Sequence, residues 1–150
     1  MCYSLAMWLA YALGASVVWG LMYVLSEQLY KAVSVPTVLA IQMVAAAIAT
    51  VGIALLTGGF REDISTMLSS RFLLWLMFAS IVGWIAAEFL IAFSIVEKNA
   101  SLAGLIEISY PLFIVLFSFL LFQQTHLTLA TSIGALLIFI GVGIIFFYGT

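Results

Sequence analysis

"AGLIEISYPLFIVLFSFLLF", residues 103 to 122, is a run of uncharged, mostly apolar residues broken at two points. Glu107 would carry a charge in water, and Pro111, four residues on, has no backbone N–H to donate. An apolar stretch of this length reads as a membrane-spanning helix. The composition around it fixes the solvent. Of 150 residues, 67% are hydrophobic and 7% charged, where a soluble domain carries about 25% charged residues. No charge occurs between Ala32 and Phe60, and none after Glu107. Too few polar groups exist to cover a water-facing surface, so the chain is expected to be all-α and polytopic, with no soluble domain. The net charge of −2 gives no sign of a nucleic-acid partner, and a lone cysteine, Cys2, excludes an internal disulfide and a cysteine metal site.

The spans are placed by their breaks. They run over about 5–29, 36–57, 72–96, 101–122 and 127–148, each near the ~20 residues that cross the hydrocarbon. "REDISTMLSSR", 61 to 71, reads as the clearly polar loop, with "EKNA" (97–100) and "QQTH" (123–126) as tight turns. Trp8, Tyr30, Trp75 and Tyr148 lie near span ends, as interfacial aromatics do. The first span lacks the basic start of a secretory signal peptide and is too long for one. "NAS" at 99 to 101 matches a glycosylation sequon but sits against the membrane.

Let side A be the face that holds the N-terminus and side B the opposite face. Side A then carries Arg61 and Arg71, and side B Lys31 and Lys98. The positive-inside rule gives no direction from such a tie. Two readings stay open: one weakly biased orientation, or insertion both ways with two chains paired head to tail.

The polar groups within the spans gather toward side B. Glu107 is six residues into its span, roughly 9 Å deep, and Glu88 eight residues from the end of its span, roughly 12 Å deep, at ~1.5 Å per residue. Gln42 is also six residues into its span, and Glu27 lies close to the interface. An ionised acid placed against lipid costs about 2.5 to 3.5 kcal/mol on insertion scales, so intramembrane acids face cavities and mark function. Pro111 adds a second polar group at the same place. The N–H it lacks would have bonded the carbonyl of Glu107, and a freed group at membrane depth must meet protein, water or ligand. A plain packing kink and a kink at a binding site both fit.

Helical spacing groups the neighbours. Ala100, Gly104, Glu107, Pro111 and Ser118 share one side of the fourth span. Ser16, Trp19, Tyr23, Glu27 and Tyr30 form a stripe on the first, and Trp84 and Glu88 are four apart on the third. Gln42, Ala45, Ala49 and Gly52 align on the second span, and Ala130, Gly134, Gly141 and Ile145 on the fifth. These two look like packing faces. Any single aromatic is better explained by core or lipid packing. As a set, rings beside acids suit an organic cation or an amphipathic molecule. The candidate substrate- and proton-binding residues are therefore Glu107, Glu88, Gln42, Trp19, Tyr23, Trp84 and Tyr110. Pro111 is the helix kink, and Gly104, Gly134 and Gly141 are helix-packing residues.

Three stretches carry a resemblance. "WGLMYVLSEQL" in the first span resembles the tryptophan–glycine signature of the drug/metabolite transporter superfamily, in particular its EamA-like domains. "NASLAGLIEISYPLFIVLFSFLLF" is similar to that family's fourth helix and "IGALLIFIGVGII" to its glycine-rich fifth. The resemblance covers nearly the whole chain as one domain, 1–150, and implies one five-helix half of an inverted-repeat transporter. It places Trp19, Gly20, Pro111 and Gly134 at the family's structural positions. The family often has an arginine where this chain has Gln42, and a glutamate where it reads "QQTH". The substrate class therefore does not carry over.

The expected function is export of a small metabolite or drug-like amphipathic solute across the inner cell membrane. The working unit is expected to be a homodimer, antiparallel if both orientations insert, or a heterodimer with a second half. The competing reading is a lipid-flipping or non-transporting partner subunit. An enzyme is disfavoured: there is one histidine, His126, and no metal-ligand spacing, phosphate loop or catalytic triad motif. No cofactor and no metal are implied.

Overall fold

The computed structural model describes residues 2–124 and 128–148, with side chains from Met7 onward. Thr125, His126 and Leu127, and with them half of the "QQTH" turn, lie outside the described residues, as does the side chain of Cys2. Among the described residues seven helices follow one another: α1 (Cys2–Tyr30), α2 (Val35–Thr57), α3 (Phe60–Ser69), α4 (Arg71–Glu97), α5 (Ala100–Glu107), α6 (Tyr110–Phe122) and α7 (Leu129–Tyr148). Five segments are long and apolar enough to cross a membrane, α5 and α6 counting together as one of 23 residues. This is the expected all-α polytopic membrane protein.

Local chemistry sets the helix ends. Pro36 occupies the first turn of α2, where its missing N–H removes no helical bond. Gly58 ends α2 at φ 83°, a left-handed conformation that glycine adopts without strain. The segment read as a polar loop after α2 is instead mostly the helix α3. Its Phe60, Ile64 and Met67 are half-buried and fall at steps of four and three, while Arg61, Glu62 and Asp63 are exposed. Glu62 and Asp63 stand in its first turn, where the helix dipole favours a negative charge. The loop reading rested on charge content; the 3.6-residue spacing of three apolar residues decides for an amphipathic helix.

The chain divides into two units at points inside α1 and α4. The unit of residues 28–93 has a small core of Val35, Leu39 and Ala92, with Tyr30, Met43 and Phe89 packed against it. Ala92 is fully buried and Leu39 nearly so. In the unit of residues 1–27 and 94–150, Ser26, Ile95, Ala100 and Ala103 are buried, and α5 packs on α7. Most other apolar side chains are exposed, as suits helices whose outer surface meets lipid tails. Hydrocarbon gives no solvent drive for helix association, so close van der Waals packing must hold these cores.

Ala92→Leu is expected to lower the melting temperature of the detergent-solubilised protein, since extra methyl groups in a filled site cost about 1–3 kcal/mol. Leu90→Ala, at a position 71% exposed on the same helix, should leave it unchanged. Circular dichroism melts compare the two.

Candidate functional site

The fourth span is two helices, because of its proline. Pro111 sits in the first turn of α6 and brings no N–H to the preceding turn. Its ring also disfavours helical geometry at the residue before it. The backbone yields just upstream. Ile108 and Ser109 keep φ of −57° and −73°, but their ψ values move to −7° and −12°, far from the ≈ −42° of an α-helix. Hydrogen bonding tightens there: Ser109 N–H donates to the Ile106 carbonyl and Leu112 N–H to that of Ser109, each at 3.1 Å across three residues. Two half-helices meet at this joint. The C-terminal end of α5 carries partial negative charge, and Glu107 is its last residue.

Glu107 is half-buried, and its Oε2 accepts a hydrogen bond from the Tyr23 hydroxyl on α1. The Tyr23 ring reaches it by lying over Gly104. A methyl group at residue 104 would stand 3.3 Å from Tyr23 Cδ2 and 3.5 Å from Cε2. Trp19, one turn earlier on α1, meets the Tyr23 ring edge-on, with centroids 5.8 Å apart and planes at 67°. A turn later on α1, Glu27 Oε2 accepts the Ala100 N–H at 2.9 Å, and Asn99 Oδ1 accepts that of Leu102 at 2.8 Å. Two of the orphan amides that begin any helix are satisfied this way. Residue numbers fall along α1 as they rise along α5, so the two helices run antiparallel.

Of the residues expected from sequence, the structure brings together Glu107, Tyr23, Trp19 and Gly104, with Pro111 half-buried at the joint. Tyr110 begins α6 beside the joint and is 55% exposed. Gly134 and Gly141 on α7 have no neighbour within 4 Å of an added Cβ, so within the chain Gly104 is the one of the three with a close partner. Gln42, Glu88 and Trp84 belong to the other unit; Gln42 and Glu88 are half-buried on α2 and α4, and Trp84 is half exposed. Among the described residues no group of His, Cys, Asp and Glu could hold a metal ion.

Sequence reasoning missed two roles. Glu27 had been counted as an interfacial acid, and it caps α5. Asn99 had been weighed as a sequon, and it is the N-cap residue. Asn immediately before an apolar helical run was a readable cap signal. The capping bond from Glu27 spans 73 residues of chain and left no local trace.

The arrangement can hold a positive charge. A carboxylate and the carbonyl end of a half-helix put the same sign of charge at one place, with the Tyr23 ring beside it and Trp19 edge-on to that ring. Residues 6–147 match the EamA-like transporter family, and the chain belongs to that family. No curated protein and no solved structure gave a match. The family makes this chain a membrane transporter of the drug/metabolite type.

Pro111→Ala restores an N–H four residues after Glu107 and should let α5 and α6 join into one helix. Transport is then expected to fall several-fold while the melting temperature holds or rises. Retained transport in reconstituted vesicles together with a raised melting temperature would show that the joint serves packing alone.

Proposed function

We propose that this chain exports a small, amphipathic organic cation, metabolite- or drug-like, with Glu107 as the group that takes its positive charge. The observation that carries the reading is the half-buried Glu107 carboxylate at the joint of the broken fourth span, held by Tyr23 and flanked by Trp19. Discontinuous transmembrane helices of this kind form substrate and ion sites in secondary transporters. Glu88, a second acid at similar depth by sequence, is assigned to the same pathway, with Gln42 and Trp84. Glu107 exchanges a proton against the solute: a carboxylate can hold one or the other, and alternating between them couples the two flows. Outward transport fits such solutes, because amphipathic cations enter through lipid unaided and work is needed only to expel them.

The working unit in this reading is a pair, a second copy of the chain inserted in the opposite sense. The acidic layer lies toward side B, whereas alternating access needs a site that can open to either face from near the midplane. Two copies related by an axis in the membrane plane supply one acidic layer on each side of it. The tie of two basic residues per face permits both insertions. The inner cell membrane is the assigned location.

One observation supports a second reading. Trp19 is 43% exposed and Tyr110 55% exposed, so the joint borders a surface that lipid can reach. A lipid-flipping subunit would use such a surface.

Vesicles holding the purified chain, given a pH gradient and tetraphenylphosphonium as probe, decide between them. The wild type should concentrate the probe, and Glu107→Gln should abolish accumulation without loss of folded protein. A Glu107→Gln/Glu88→Gln double variant that still concentrates it would remove the carboxylates from the mechanism. Scrambling of a fluorescent phospholipid in place of probe accumulation would favour the lipid-handling reading.

Topology is tested separately. With Cys2 replaced and Ser65→Cys introduced on the exposed side of α3, an impermeant thiol reagent on whole cells should label about half the copies, as equal insertion requires. Labelling of all or none would exclude the inverted homodimer.

A further inference from the structure

Helix α5 has eight residues, packs on α7, and begins with amides that need partners outside it. The structure ties it to α1 at both ends, with the donor and acceptor roles exchanged. At its start, the α5 amide of Ala100 donates to the α1 carboxylate of Glu27 at 2.9 Å. At its finish, the α5 carboxylate of Glu107 accepts from the α1 hydroxyl of Tyr23. Tyr23 and Glu27 are one helical turn apart, so both ties come from one face of α1. Between the ties, Gly104 gives the Tyr23 ring its bed. Past Glu107 the regular ladder gives way at Ile108 and Ser109.

We infer that α1 and α5 form one rigid clamp, and that Glu27 and Gly104 are positioning residues that set the Tyr23 hydroxyl on Glu107. The joint at Ile108–Ser109 leaves α6 as the part of the fourth span that moves when the site opens. The inference rests on the reading of Glu107 as the charge-holding group. Glu27 acts from the far end of α5: its carboxylate fixes where the half-helix starts, and so the height on α1 at which Glu107 arrives. Gly104 acts by absence, since any side chain there lifts the ring.

The test uses the full chain in lipid nanodiscs, with two readouts. Hydrogen exchange of the α5 amides reports the clamp, and equilibrium dialysis of tetraphenylphosphonium reports the site. Glu27→Ala should speed exchange across residues 100–107 by about tenfold or more, the signature of local opening, while the amides of 114–122 keep their rates. Glu27→Gln retains an oxygen acceptor and should stay within about twofold of wild type in both readouts. Glu27→Ala, Gly104→Leu and Tyr23→Phe should each weaken probe binding, and Gly104→Leu combined with Tyr23→Phe should weaken it no further than either alone. If Gly104→Leu fails to fold, Gly104→Ala replaces it, with a smaller effect in the same direction.

Unchanged α5 exchange in Glu27→Ala overturns the clamp. So does equal damage from Glu27→Gln, which would point to the charge and not to the tie. Additive losses in the Gly104→Leu/Tyr23→Phe pair overturn the role of Gly104. A wild type that does not bind the probe at all contradicts the transport reading, and the exchange rates still decide the clamp.

Discussion

Within hydrocarbon every backbone amide and carbonyl needs a partner from the protein itself, and the rest of this structure follows from how the chain meets that demand at its one mid-span proline. Pro111 withdraws an N–H from the fourth span. The chain responds by ending one helix at Glu107 and starting another at Tyr110, with shorter-range hydrogen bonds through Ile108 and Ser109. The half-helix before the break has eight residues and, like any helix, begins with orphan amides. Asn99 and Glu27 take those at the start. The result is a carboxylate at the end of a half-helix, held from across the bundle by a tyrosine.

The polar groups of the membrane interior are thus few and shared between tasks. Glu27 looks like a solvated acid near the surface and serves as a helix cap. Tyr23 looks like one more packing aromatic and serves as the hydroxyl partner of Glu107. Glu107 accepts the Tyr23 hydroxyl and lies where the carbonyl end of α5 adds to its charge. In the proposed reading a positively charged solute is its complement, with the rings of Trp19 and Tyr23 as surface for the apolar part. Membership of the EamA-like transporter family gives this geometry its setting, a membrane transporter of the drug/metabolite type.

Small residues have unequal roles here. Gly104 permits a specific contact, and its replacement would be felt at a named atom, Tyr23 Cδ2, 3.3 Å away. Ala92, Ala100 and Ala103 are buried and set how closely their helices approach. Gly134 and Gly141 belong to the same compositional class but border open space in the chain. A small side chain states what is allowed at a position; the neighbour decides whether the allowance is used.

Composition and periodicity alone determined that this chain is a multi-pass membrane protein, that it is all-helical, and where its long apolar helices lie. These are sums and spacings over neighbouring residues, and the bilayer tolerates few alternatives to them. The same reading missed α3, because charge was weighed before spacing. It put the kink at Pro111, and the backbone leaves α-helical geometry in the turn just upstream, at Ile108 and Ser109. What holds Glu107 and what caps α5 were decided only by tertiary structure. Those bonds join residues 84 and 73 positions apart, and no local pattern selects Tyr23 over Trp19, or Glu27 over an exposed acid. The selection is made by helix packing: by which turn of α1 lies against which turn of α5, and by a glycine that leaves room for one ring.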